Sequence, residues 1–216
     1  RDTTLTSELG TTGLVESNRR REATSLSVTP SIMFTERVSG GVQMTMFKSR
    51  YIDADFTGLV DYRYQAGSVF STVALSDAGS SLTFTAQAGE LSTAGLGSDT
   101  RDGTLRLGWS VRPWVLWTLA LSAGPSRVET EAGSDDGWVF DADIRHQGER
   151  WGLVARGGRS QSPTGRGVLT RRDEMELSFT RRLTERLSGN AGARWIRSED
   201  SVQQRGAINT YEVDYG

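Results

Sequence analysis

The sequence predicts an all-β protein, an antiparallel up-and-down transmembrane β-barrel of about twelve strands. Three observations carry that expectation. Apolar side chains recur at every second position over runs of about ten residues. The runs are joined in turn by a tight connection and a longer polar one, and aromatic residues gather near run ends. Leu26, Val28, Pro30, Ile32 and Phe34 alternate with Ser25, Ser27, Thr29, Ser31 and Met33, and Leu105, Leu107, Trp109 and Val111 alternate with Thr104, Arg106, Gly108 and Ser110. Such alternation gives a strand one apolar and one polar face.

The runs follow in order. The first covers 3–9 and the second 23–34. Met44 and Met46 against Gln43 and Thr45 mark 38–48. Tyr62, Tyr64 and Ala66 open 61–75, and Leu82 and Phe84 against Thr83 and Thr85 mark 81–90. The run 103–111 precedes 115–125, where Trp117, Leu119 and Leu121 flank polar Thr118. Phe140 and Ile144 oppose Asp141 and Asp143 in 137–146, and Leu153 opposes Arg156 in 150–159. Met175, Leu177 and Phe179 oppose Glu174 and Glu176 in 172–180. Ala191 opposes Arg194 in 186–197, and Val213 opposes Glu212 in 207–215. Tight connections are read at Thr35-Glu36-Arg37, Ser76 to Ser80, Arg112-Pro113-Trp114, Gln147-Gly148-Glu149 and Arg181 to Glu185; long ones at 10–22, 49–60, 91–102, 126–136, 160–171 and 198–206. In outer-membrane barrels short turns face the periplasm and long loops the exterior, which places both chain ends on the periplasmic side. Two features break the pattern. Pro30 falls mid-strand, where it removes a ladder hydrogen bond, so a bulge or a later strand start is expected. The run 61–75 loses phase by Val69, Val73 and Leu75, which a bulge near Gly67 would repair.

Composition bounds the rest. The 216 residues form one domain, 1–216, and no stretch offers the roughly 18 apolar residues that a membrane helix needs. There is no Cys, hence no disulfide and no thiolate site. A net charge of −2 supplies no field for nucleic acid. The chain opens at Arg1 without Met or an apolar leader, as expected of a mature or cropped form.

Several turn and loop segments resemble a family. Arg50-Tyr51-Ile52-Asp53 with Gly58-Leu59-Val60-Asp61-Tyr62, Ser160-Gln161-Ser162-Pro163-Thr164-Gly165-Arg166-Gly167, Arg172-Asp173-Glu174 and Arg181-Arg182-Leu183-Thr184-Glu185-Arg186-Leu187 resemble outer-membrane β-barrels encoded with bacterial exosortase and exopolysaccharide systems. The resemblance implies a bacterial outer-membrane location and a surface-polysaccharide context. It transfers no catalytic residue.

Sorting the polar face gives a candidate lumen lining: Gln43, Thr45, Arg63, Arg106, Asp141, Asp143, Arg156, Glu174, Glu176, Arg194 and Glu212. Phe34, Tyr62, Trp114, Trp138, Trp151 and Trp195 are read as the aromatic girdles at the two interfaces. The carboxylate pairs Asp141/Asp143 and Glu174/Glu176 share a strand face at spacing i, i+2. They suit an ion-pair lattice with Arg63, Arg106, Arg145, Arg156 and Arg194, or acid–base work on a glycan. The one histidine, His146, sits at an expected short turn, read as solvent-exposed and away from any Ser or Asp constellation. Asp53/Asp55, Asp135/Asp136 and Glu199/Asp200 lack the spacing of a calcium loop, so no metal and no cofactor is expected. Arg19 to Arg21, Arg50, Arg127, Arg159, Arg171, Arg172 and Arg197 would sit at the outer rim, where guanidinium can clasp lipopolysaccharide phosphates. The reading is a non-enzymatic narrow channel or scaffold among outer-membrane lipid, serving export or assembly of surface polysaccharide with export components as partners. A lumen glycan-modifying enzyme and a soluble, secreted carbohydrate-binding β-sandwich are the alternatives.

Overall fold

A computed structural model describes residues 20–52, 59–77, 79–94, 99–131, 133–164, 168–184, 187–200 and 208–215. The chain is all-β. Its strands are β1 (Arg20–Val28), β2 (Ser31–Met33), β3 (Val38–Ile52), β4 (Tyr62–Ser76), β5 (Ser80–Thr93), β6 (Thr100–Trp114), β7 (Trp117–Thr130), β8 (Gly133–Gln147), β9 (Trp151–Pro163), β10 (Leu169–Arg182), β11 (Ser188–Asp200) and β12 (Ile208–Tyr215). They form one antiparallel up-and-down sheet in the order β1-β3-β4-β5-β6-β7-β8-β9-β10-β11-β12, with β2 beside β3. The expected first strand, 3–9, lies outside the described residues, and no ladder joins β1 to β12 among those described.

β1 and β2 are one strand interrupted at Pro30. The pairs Val28↔Met44 and Ser31↔Gly41 are three residues apart on both strands, so no residue is inserted and the ladder merely loses bonds. Pro30 still accepts from the Val42 N–H at 3.1 Å. Gly41 allows that approach, because a Cβ there would collide with the Pro30 carbonyl oxygen. The bulge expected near Gly67 is absent, for Gly67 pairs in step with Met44 and Ala88, and the irregularity falls instead between Ala74 and Ser76. The loss of phase has another cause. Tyr62 and Tyr64 face inward near the long connections, whereas Val69 and Val73 face outward further along the same strand.

The strands run longer than their apolar stretches. The connection expected at 126–136 shrinks to residues 131–132, closed by the Thr130 hydroxyl donating to the Gly133 carbonyl at 3.1 Å, with Gly133 at φ 145. Its residues read as loop because the outer face turns polar there, carrying Arg127, Glu129 and Asp136, while the inner face offers Val128 among polar neighbours. Likewise β6 runs through Pro113 to Trp114 over a register shift after Val111, leaving only Val115 and Leu116 as the turn.

The register fixes two faces. One row passes partner to partner through Val73, Leu82, Trp109, Leu121, Ala142, Gly157, Met175, Trp195 and Tyr211. The adjacent row on the other face reads Thr72, Thr83, Gly108, Ser122, Asp141, Gly158, Glu174, Ile196 and Thr210. The apolar face points away from the protein: Met44, Val69, Leu107, Met175 and Val213 are all more than half exposed. The buried core lies on the polar side, at the long-connection end. There Tyr51, Leu59, Tyr62, Leu91, Val128 and Leu169 cluster, with Phe47 and Tyr64 against them. These residues come from β3, β4, β5, β7, β10 and the connection before β4, so the sheet curls about its polar face.

Candidate functional site

Small hydroxyl residues open the inner face at the short-turn end, where Thr72 and Thr83 share a 3.0 Å hydrogen bond and Ser81 and Ser110 one of 2.9 Å. Short polar side chains leave space inside a curled sheet and satisfy one another across strands.

A charge lattice follows on β8 to β11. Asp143 accepts from Arg145 Nε at 2.6 Å and from Arg156 Nε at 3.0 Å. Arg156 also lies 3.7 Å from Glu176. Glu174 accepts from Arg194 Nε at 2.6 Å and pairs with Arg172 at 2.9 Å. Arg106, Asp141, Arg156, Glu174, Glu176 and Arg194 line one cavity of about 350 Å³. Asp141 and Arg106 make no ion pair among the described residues, so each presents charge to that cavity. The other carboxylates of the two pairs, Asp143, Glu174 and Glu176, each lie against a guanidinium, which is the arrangement of an ion-pair lattice.

Of the expected lumen residues, Gln43, Thr45, Arg106, Asp141, Asp143, Arg156, Glu174, Glu176, Arg194 and Glu212 share the inner face. Arg63 does not. It pairs with Lys48 and Ser92 on the outer face, and its Nη2 reaches Met46 Sδ at 3.4 Å. The rings of Tyr62 and Tyr64 claim the inner face on either side of it and leave Arg63 the other.

The girdle reading needs one correction as well. Phe34 and Trp114 stand exposed by the short turns, Trp138 is exposed near the other end, and Trp151 and Trp195 lie on the outer face. Tyr62 is 2% exposed and belongs to the inner cluster, with its ring centroid 5.8 Å from that of Phe47. His146 is buried rather than solvated. It stacks on Trp151 at 3.7 Å between centroids and on Trp117 at 4.7 Å, a sandwich set by the row Trp117↔His146↔Leu153.

The sequence reading missed the apolar end of the inner face. Leu91, Val128 and Ile196 are its most enclosed apolar side chains, and Tyr64 donates to Asp102 at 3.0 and 3.3 Å beside them. The ends of β9 and β10 help to build it. β8 and β9 pair only from Phe140↔Arg159 to Gln147↔Gly152, and above that β9 leaves β8. Gln161 Nε2 then reaches Ser126 Oγ at 3.4 Å, and Arg171 Nη2 reaches Asp135 at 3.1 Å. By register Gln161 and Arg171 belong to the outer face of β9 and β10, while Ser126 and Asp135 are on the inner face of β7 and β8. The end of the β9–β10 hairpin therefore tucks behind β7 and β8, delivering Leu169 to the cluster and burying Thr164 and Thr170. The signal was present as apolar Leu59, Leu91, Val128 and Leu169 inside segments read as polar loop.

Toward the same end, Arg101, Arg127, Arg159, Arg171 and Arg172 pair with Glu90, Glu129, Asp173, Asp135 and Glu174, and Arg197 pairs with Glu199. These arginines are already engaged within the protein.

No family model matches the sequence, and no curated protein matches it. Among solved structures, the crystal structure of a Pseudomonas aeruginosa FadL homologue is similar with a TM-score of 0.48 and 11% identity; the match covers 91% of this chain and 66% of that one.

Proposed function

We propose that this chain is a bacterial outer-membrane β-barrel whose inner face forms a narrow, internally braced path for a polar solute, in the service of surface-polysaccharide export or assembly. One observation carries the reading: a continuous apolar surface faces outward around the sheet while hydroxyls and ion pairs face inward. A soluble sandwich buries its apolar face, so an exposed belt of this extent requires lipid. The charged collar of Glu90, Arg101, Arg127 and Asp136 on the outer face marks where the belt ends.

Strand parity bears on how the proposed barrel would close. Counting β1 and β2 as one, β1 and β12 are the first and eleventh strands of the meander and run in the same direction. Closing the sheet as an antiparallel barrel would take one more strand between those two edges. Lipopolysaccharide and phospholipid would surround the belt. The mixed charges of the lattice suit a hydroxyl-rich or zwitterionic solute better than a simple anion, in keeping with the polysaccharide context. Purified protein should migrate heat-modifiably and open small single-channel conductances in planar bilayers. Complete absence of conductance in properly inserted protein would leave a scaffold in place of a channel.

A further inference from the structure

Arg37 of the short-turn end pairs with Asp77, but three other arginines of that end stand apart from those of the opposite end. Arg150, Arg181 and Arg182 make no ion pair among the described residues, yet all three line one groove of about 800 Å³ with Trp151, Phe179 and Leu183. The fold holds them together, since the Arg182 N–H donates to the Arg150 carbonyl at 2.8 Å and Arg181 pairs with Trp151. The groove's apolar wall is braced too. Trp151 is stacked on His146, stands edge-on to Trp117 at 6.3 Å and lies 6.3 Å from Phe179. Beyond Leu153, which stands next to Trp151 on the outer face of β9, a shallow furrow continues across that face. Ala155 lies between Ile144 and Leu177, and Gly157 between Ala142 and Met175, so the β9 column is lower than its flanks.

We propose that this groove binds an anionic phospholipid of the membrane leaflet at the short-turn rim. Three guanidinium groups without an ion pair among the described residues match a phosphodiester, because each offers forked donors to phosphate oxygens. Glu149, which lines the adjoining cavity with Arg150 and Arg182, makes no ion pair with them. The indole and phenyl rings suit the interfacial level of the lipid, and the Ala155–Gly157 furrow receives an acyl chain. A free phosphate would leave the furrow and the exposed rings unused. The proposal rests on the membrane reading above.

The test uses the full chain purified in non-ionic detergent and offered dioleoyl-phosphatidylglycerol, dioleoyl-phosphatidylethanolamine or inorganic phosphate, with bound lipid counted by native mass spectrometry. Wild type should retain phosphatidylglycerol in preference to phosphatidylethanolamine. Combined R150Q, R181Q and R182Q should weaken that retention about 10- to 100-fold, whereas R112Q at the neighbouring turn should not. If the triple variant fails to insert, R181Q alone should give a partial loss. Equal retention of both lipids, undiminished binding in the arginine variants, or full displacement by inorganic phosphate would overturn the proposal. Heat-modifiable migration measured on the same samples separates the two readings. Its loss in wild type refutes the membrane assignment, and its persistence without lipid preference refutes only the lipid site.

Discussion

At the level of single residues, the inner face is held by contacts that tolerate little change in shape. Gly89 sits where a Cβ would collide with Asp102 and the Tyr64 hydroxyl, so it leaves room for that hydrogen bond. Gly89→Val should cost about 1–3 kcal/mol through overpacking, read as a lower midpoint for loss of the heat-modifiable form. Leu91 is wholly buried, and Leu91→Ala should cost about 2–5 kcal/mol in the same assay. Replacement of Arg106 by Gln removes an unpaired cation from the cavity and should shift channel selectivity toward cations, measured as reversal potential in a salt gradient. Alternation put the residues read as lumen lining on one sheet face, Arg63 excepted. It misplaced Arg63 and Tyr62 for one reason: near the long connections the larger aromatic rings lie inside, so the usual equation of apolar with outward inverts.

At the level of elements, the strands and their order were legible because each keeps phase against its neighbours over most of its length. Their ends were not. Where strands rise past the apolar belt the outer face turns polar and the alternation inverts, and the connection at 126–136 looked like loop although it is two strands and a two-residue turn. The departure of β9 from β8 was equally hidden, since it is decided by side chains on other strands: Ser126, Asp135 and the cluster that takes Leu169. This hairpin end is held against the inner face of β7 and β8 by the Gln161–Ser126 and Arg171–Asp135 contacts, and it is predicted to set the width of the path there. Crosslinking S126C to Q161C in this naturally cysteine-free chain should hold it in place and depress conductance. Removing its charge contact with D135N should raise the open fraction. Equal conductance in wild type, crosslinked and D135N proteins would show that the hairpin end does not gate.

At the level of the whole molecule, burial runs opposite to that of a water-soluble β-protein: the core is a small inner cluster, and most large apolar side chains are exposed. The proposed lipid-facing exterior accounts for such an inversion, with lipid replacing water on the outside. Leu107→Arg, in the middle of the belt, should destabilise the inserted protein by about 2–4 kcal/mol, while a polar change on the inner face at Thr85 should have little effect. The most direct measurement labels single cysteines at 105 through 109 in lipid vesicles and compares collision of each spin label with oxygen and with an aqueous nickel chelate. Membrane insertion predicts oxygen-rich, nickel-poor environments at 105, 107 and 109 and the reverse trend at 106 and 108. Uniform access of the aqueous reagent to all five positions would contradict it.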